Sequence, residues 1–471
     1  MSTVRKANKK VPMTRVDQAW LHMEKPTNLM MITGVMMFEK PVDIVKLKKV
    51  INDRFMAYPR FRQKVVDTAT GTCWQDDEDF DLDWHVRLTA LPGKADKPAL
   101  ERFVSLLAST PLDQTKPLWQ FHLVDKYDGG SALIMRIHHC YADGIALVQV
   151  LLSMTDSQDK ANKEKSLAKT WLKNDGSAVN SRMGAINRYV KLGESILGKG
   201  MDLYRDPSIA SVVAKEGAEI ARELAFALSL SDDPATVLRG RLGVRKRVAW
   251  APPLPLEEVK TISRYFNATV NDVLMASMAG ALRSYMIDRG ENVDGLTIRA
   301  TVPVNLRPLE HAKKLGNHFG LVFLDLPVGE ADPSVRLQRV VECMTQLKQS
   351  RQAIVAFGLL ATIGMLPPAV QQLALELFSR KATTVATNVP GPQMPLYMAG
   401  VKIVEQMFWV PQTGSIGLGV SILSYNGNVH FGLIADAKLM PDPDGVIQRF
   451  IPEFEKLLYI ALMGEWNERS N

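Results

Sequence analysis

The chain of 471 residues is 46% apolar and long enough for two domains or one large one, so extensive disorder is not expected. Its three cysteines, Cys73, Cys140 and Cys343, are odd in number and lack CxxC spacing, which fits a reducing cytoplasm and argues against a structural zinc or redox chemistry. A formal net charge of +7 suits an anionic partner such as a membrane face or a nucleotide-bearing substrate; nucleic acid is not expected, because there is no basic stripe with interleaved aromatics.

Arg5, Lys6, Lys9, Lys10 and Arg15 crowd the first fifteen residues, but no apolar core follows them, so an export signal is not expected. From about 12 to 153 the pattern alternates: LMMITGVMMFE reads as a strand and DIVKLKKVINDRFMAY as an amphipathic helix. SALIMRI, residues 131–137, is a mostly apolar run after Gly129-Gly130 and reads as a buried strand. Ile145, Val148, Leu151 and Leu152 then recur at helical spacing, so HHCYADG (138–144) closes a strand and opens a helix, with Asp143 as a favoured N-cap. Strand alternation sends His138 and His139 to opposite sides.

From about 155 to 240 the sequence turns charged and helical and reads as a long crossover. VRKRVAW near 244, TIRATVPVNLR and TTVATNVPG read as strands of a second α/β half. SIGLGVSILSYNGNVHFGLIAD reads as a hairpin turning on Asn426-Gly427, whose small side chains leave the positive φ angles of a tight turn accessible. On its first arm Gly417, Gly419 and Ser421 share one face, which permits close approach of a partner or ligand. The uncharged tract from Gln352 to Leu375 has the length to span a bilayer, but Pro367-Pro368 and Gln371-Gln372 interrupt it, so a soluble or surface-bound protein is expected.

The HHxxxDG constellation carries the chemistry. It should arise by chance in about one chain in 2,000 of this composition. Imidazole, with an ordinary pKa near 6.5, can take a proton from a hydroxyl at neutral pH. Its usual nucleophilic companions are missing: there is no GxSxG elbow, GxGxxG or P-loop, and Cys140 would point away from His139 in extended chain, though a turn at 140 would change that. What remains is a base that activates the substrate's own hydroxyl or amine for direct attack on an activated acyl group, which needs neither metal nor cofactor.

At these residues the sequence resembles the HHxxxDG acyl-CoA-dependent acyltransferases, which include chloramphenicol acetyltransferase and peptide-synthetase condensation domains. More narrowly it resembles the bacterial wax ester synthase/diacylglycerol acyltransferase family. The likeness covers most of the chain. Besides HHCYADG it rests on MTRVDQAWLHMEKPTNLMMITGVMMFE, PLDQTKPLWQFHLV (111–124), NDVLMA (271–276), VPVNLR (302–307), LGNHFG (315–320) and TNVPGP (387–392).

The resemblance implies an α/β fold of two chloramphenicol-acetyltransferase-like domains with mixed sheets, at 1–155 and 241–471. A helical linker over 156–240 joins them, and an active-site channel lies at their interface. It implies that His139 is the general base, taking the proton of a fatty alcohol or diacylglycerol hydroxyl that attacks the thioester of a fatty acyl-CoA, while His138 supports the geometry. Asp143 shapes the loop, with Arg307 as its expected partner, and Gly144 keeps the channel clear. Asn271 and Asp272 open a helix that Thr269 can cap; the resemblance places Asn271 near the channel, where its amide would assist the oxyanion or position substrate. Pro117, Leu118 and Trp119 are expected to support the fold. With the basic N-terminus and the linker, apolar substrates imply peripheral association with an anionic membrane or lipid inclusions. The competing readings are another HHxxxDG acyltransferase, of condensation or polyketide-associated type, and a non-catalytic lipid-binding protein.

Overall fold

Residues 10–69, 71–157, 230–305, 319–349, 368–412 and 414–465 are described in the computed structural model. Most of the expected linker lies outside them, as do residues 1–9, Arg307 and most of the tract from Gln352 to Leu375.

The apolar runs pair as their patterns require. In the first half a small sheet joins β1 (Val11–Pro12), β3 (Gln63–Thr68) and β4 (Gly71–Asp76) in the order β1-β4-β3. A larger one contains β2 (Met31–Phe38), β5 (Val86–Thr89), β6 (Trp119–Tyr127) and β7 (Gly130–His138). Every residue of β7 is buried, as a central strand covered on both faces must be. Helices α1 (Arg15–His22), α2 (Ile44–Val50), α3 (Leu82–His85), α4 (Lys97–Ala108) and α5 (Gly144–Ser153) complete this half.

The second half contributes β8 (Lys246–Trp250), β9 (Leu254–Pro255), β10 (Ile298–Asn305), β11 (Phe319–Leu326), β12 (Thr384–Pro390), β13 (Tyr397–Met398), β14 (Val401–Trp409), β15 (Leu418–Tyr425) and β16 (Asn428–Asp436). Its helices are α6 (Leu256–Tyr265), α7 (Val270–Asp288), α8 (Pro333–Gln349), α9 (Pro368–Ser379) and α10 (Asp444–Met463). The seven-stranded sheet runs β11-β10-β12-β15-β16-β8, with β9 also on β16, and mixes parallel with antiparallel pairs. β15 and β16 form the expected hairpin, and both Asn426 and Gly427 have positive φ. Its small-residue face is covered by the chain's own side chains: a Cβ on Gly419 would meet Gln412 and Ile434, and one on Gly417 would meet Leu439 and Leu242.

Among the described residues, a strand and a helix make extended pairings between the halves. β14 leaves the second half and pairs antiparallel with β2, giving the six-stranded order β13-β14-β2-β7-β6-β5. The other is a helix that finishes a sheet edge. β8 pairs with β16 on one side, leaving the backbone N–H groups of Lys246, Val248 and Trp250 on the other. These donate to Ser109 Oγ (2.7 Å), Ser105 Oγ (2.9 Å) and Glu101 Oε1 (3.4 Å), while Lys97 Nζ donates to the Trp250 carbonyl. Four residues of helix rise about 6 Å and two residues of strand about 6.7 Å, so a stripe at i, i+4, i+8 and i+12 keeps step with every second strand residue.

Candidate active site

β7 ends at His138 and the chain turns at His139-Cys140 before α5 begins at Gly144. Asp143 caps α5, its side chain accepting the Ala146 N–H at 2.8 Å, as its residue type and position lead one to expect. Gly144 is the first helical residue, and a Cβ built on it meets no described atom within 4 Å.

The two histidines are held differently. The His138 ring is 2% exposed; its Nδ1 accepts the Cys140 N–H at 3.1 Å, which leaves the proton of the neutral ring on Nε2, facing Glu24 Oε2 at 3.0 Å. That contact is an ion-pair distance bent away from the N–H direction. Burial alone would raise the Glu24 carboxyl, but the His138 ring beside it, with the Met30 N–H and the Gln114 side chain, holds it below its ordinary value. His139 is 4% exposed, its N–H donates to the Met30 carbonyl at 2.7 Å, and its ring stacks on Trp20 with centroids 4.0 Å apart. Met30 thus ties Glu24 to the histidine turn: its N–H donates to Glu24 Oε2 at 3.2 Å and its carbonyl accepts from His139.

The turn at 139–140 does bring Cys140 back beside His138, but its thiol is fully buried, and burial, with Asp17 and Glu24 nearby, pushes its pKa well above the ordinary value. A thiolate is therefore disfavoured. The Pro117-Leu118-Trp119 element packs and braces the loop. Tyr141 Oη donates to the Gln63 carbonyl at 2.8 Å and accepts the Leu118 N–H at 2.9 Å, the Leu118 carbonyl accepts the His138 N–H, and Trp119 Nε1 donates to the Phe61 carbonyl.

Asn271 opens α7 in the second half. Thr269 and Asp272 form a capping box, which frees Asn271 from that duty. Its Oδ1 accepts from Asn388 Nδ2 at 3.0 Å, joining the NDVLMA and TNVPGP segments; among the described residues no hydrogen bond links it to the histidine turn. The second half meets the turn before β2 and the first half's core elsewhere. Lys25 pairs with Glu376 of α9 at 3.2 Å, Asn28 Nδ2 donates to the Gly414 carbonyl at 3.0 Å, and Leu321 and Leu375 pack on the first half's core. Met30, which holds the His139 N–H, is thus two residues from a contact that crosses the seam between the halves. Among the described residues no group of three or more His, Cys, Asp or Glu side chains is arranged to hold a metal ion.

Trp20, Glu24 and Asn28 all lie in MTRVDQAWLHMEKPTNLMMITGVMMFE, whose likeness was visible but whose roles were not. Nothing in that segment marks Glu24 apart from its other carboxylates, Asp17 and Glu39.

The model of the wax ester synthase/diacylglycerol acyltransferase catalytic domain matches residues 13–274, and that of the WS/DGAT C-terminal domain matches residues 315–458. A probable diacylglycerol O-acyltransferase of Mycobacterium tuberculosis (strain ATCC 25618 / H37Rv) is 29% identical over 374 residues, covering 78% of this chain and 77% of the relative. The solved wax ester synthase/diacylglycerol acyltransferase from Marinobacter aquaeolei VT8 superposes with a TM-score of 0.69 at 22% identity, covering 96% of this chain and all of that one. The first condensation domain of the CDA synthetase superposes at 0.57 with 14% identity, covering 96% of each chain. The mixed sheets and the two-domain α/β architecture are thus those of the chloramphenicol-acetyltransferase-like fold. With a catalytic-domain match over more than half of its length, this chain belongs to the wax ester synthase/diacylglycerol acyltransferase family of acyltransferases.

Proposed function

We propose that this acyltransferase moves a long-chain acyl group from acyl-CoA to the hydroxyl of a fatty alcohol or a diacylglycerol, giving a wax ester or a triacylglycerol. His139 is the general base: it takes the hydroxyl proton as the oxygen attacks the thioester carbonyl, and as the C–S bond breaks it passes that proton to the departing sulfur, so that CoA leaves as the thiol. His138 supports the turn, Asp143 shapes it by capping α5, and Gly144 leaves room beside it for the pantetheine arm. Asn271 assists the oxyanion or positions substrate from the second half, and no cofactor is required.

The observation that carries this reading is the pinning of His139. Its backbone is tied to Met30 and its ring lies flat on Trp20 at the end of a fully buried strand, so the imidazole is fixed in place. Apolar substrates and the basic N-terminus support peripheral residence on an anionic membrane or lipid inclusions; no described helix is long and apolar enough to cross a membrane. CoA release from palmitoyl-CoA with hexadecanol, dioleoylglycerol or a long-chain amine tests the activity and ranks the acceptors. Turnover with the amine alone would favour a condensation-type reaction.

A further inference from the structure

The turn between α1 and β2 carries an asparagine that the mechanism above does not use. Asn28 is 3% exposed, and its backbone exchanges hydrogen bonds with Lys25 at 3.1 and 2.8 Å, which fixes the turn. Its Nδ2 donates to the Gly414 carbonyl across the seam at 3.0 Å. That carbonyl is itself immobilised: Gly414 has φ +56°, a conformation that favours glycine, and a Cβ there would collide with Ser379 of α9. With the nitrogen committed, the amide cannot flip without setting two oxygens against each other, so Oδ1 is held in one direction. It is buried and has no hydrogen-bond partner among the described residues. A fixed, desolvated acceptor beside a reaction centre is costly unless a donor arrives to meet it.

The substrates offer few donors. The acyl chain and the thioester have none, and the acceptor's hydroxyl proton goes to the base. The pantetheine arm has amide N–H groups, the nearer one a short step from the sulfur. Asn28 lies two residues from Met30, about 7 Å at most along the chain, and the Met30 carbonyl holds the His139 N–H at 2.7 Å. We propose that Asn28 Oδ1 accepts the pantetheine amide N–H nearest the thioester, making Asn28 a binding residue for the acyl donor. This rests on the acyl-CoA reading above and assigns part of the donor's path to the seam at Asn28 and Gly414.

The test uses two donor fragments that differ in that one group: S-palmitoyl-N-acetylcysteamine, which has the amide N–H, and its oxygen ester analogue, S-palmitoyl-2-acetoxyethanethiol, which lacks it. The wild-type chain should prefer the amide in kcat/KM by roughly 3- to 10-fold, the worth of one neutral hydrogen bond. In Asn28→Leu and Asn28→Ala that ratio should fall to about one. Because the ratio is taken within each variant, a smaller folded fraction cancels. Equal losses with both fragments would mean that Asn28 only braces the seam, and no wild-type preference would mean that a water satisfies Oδ1; either overturns the proposal. Absence of wild-type turnover with palmitoyl-CoA itself would instead sink the parent reading, and this one with it.

Discussion

Glu24 Oε2 lies 3.0 Å from His138 Nε2, so a carboxylate from the turn before β2 faces the first histidine of the motif. The same oxygen accepts the Met30 N–H, and Met30 holds His139. Removing the carboxylate therefore leaves the buried Met30 N–H without its acceptor and releases the backbone beneath the base. Glu24→Ala should cost about 1–3 kcal/mol of stability by chemical denaturation. Its kcat should fall roughly tenfold or more, as displacement of a fixed catalytic group does. Glu24→Gln, which keeps an acceptor oxygen, should be milder on both counts. Since the folded chain holds the Glu24 carboxyl below its ordinary 4.5, its stabilisation is complete above that pH and is lost as pH falls through the folded value.

The α4 stripe against β8 carries the opposite pH signature. Burial raises the Glu101 carboxyl to about 7, against the pull of Lys97 and with Asp444 adding to the rise. Between its ordinary 4.5 and about 7 the folded chain binds more protons than the unfolded one, so its contribution to stability must fall as pH rises across that window. Glu101→Gln keeps an oxygen for the Trp250 N–H and removes the titration. Tm measured from about pH 5 to pH 8 should decline less for the variant than for the wild type. A parallel decline would show that the carboxyl ionises freely.

Cys140 is the chain's nearest thiol to the histidines in sequence, and its burial disfavours the thiolate a covalent mechanism would need. Cys140→Ala should retain turnover within about threefold and lose about 1 kcal/mol of stability for the small cavity. Loss of activity in a variant that still folds, with an acyl adduct on Cys140 of the wild type by mass spectrometry, would restore the covalent alternative.

Local chemistry was legible in the sequence; pairing over long distance was not. The HHCYADG junction, the Asn426-Gly427 turn, the Thr269 cap and the bracing role of Pro117 to Trp119 follow from residues close together in the chain, and the structure has each of them. β14 crossing to β2 could not be read, because its pattern suits either sheet and only the three-dimensional seam decides between them. Lys97, Glu101, Ser105 and Ser109 look like a solvated helix face until β8 arrives nearly 140 residues later with matching spacing. Gly417 and Gly419 suggest room for a ligand, yet Gln412 and Ile434 fill the space at Gly419 and Leu242 and Leu439 that at Gly417. Glu24 escaped notice because its partner His138 is far along the chain, and a single carboxylate has no periodicity to mark it.

Whether the His139 imidazole is the base is decided by single-turnover release of CoA from palmitoyl-CoA with hexadecanol or dioleoylglycerol, comparing wild type with His139→Ala. The His139→Ala chain should lose about a hundredfold or more in the chemical step with the fold intact. A folded His139→Ala chain that releases CoA at a near-native rate would contradict it.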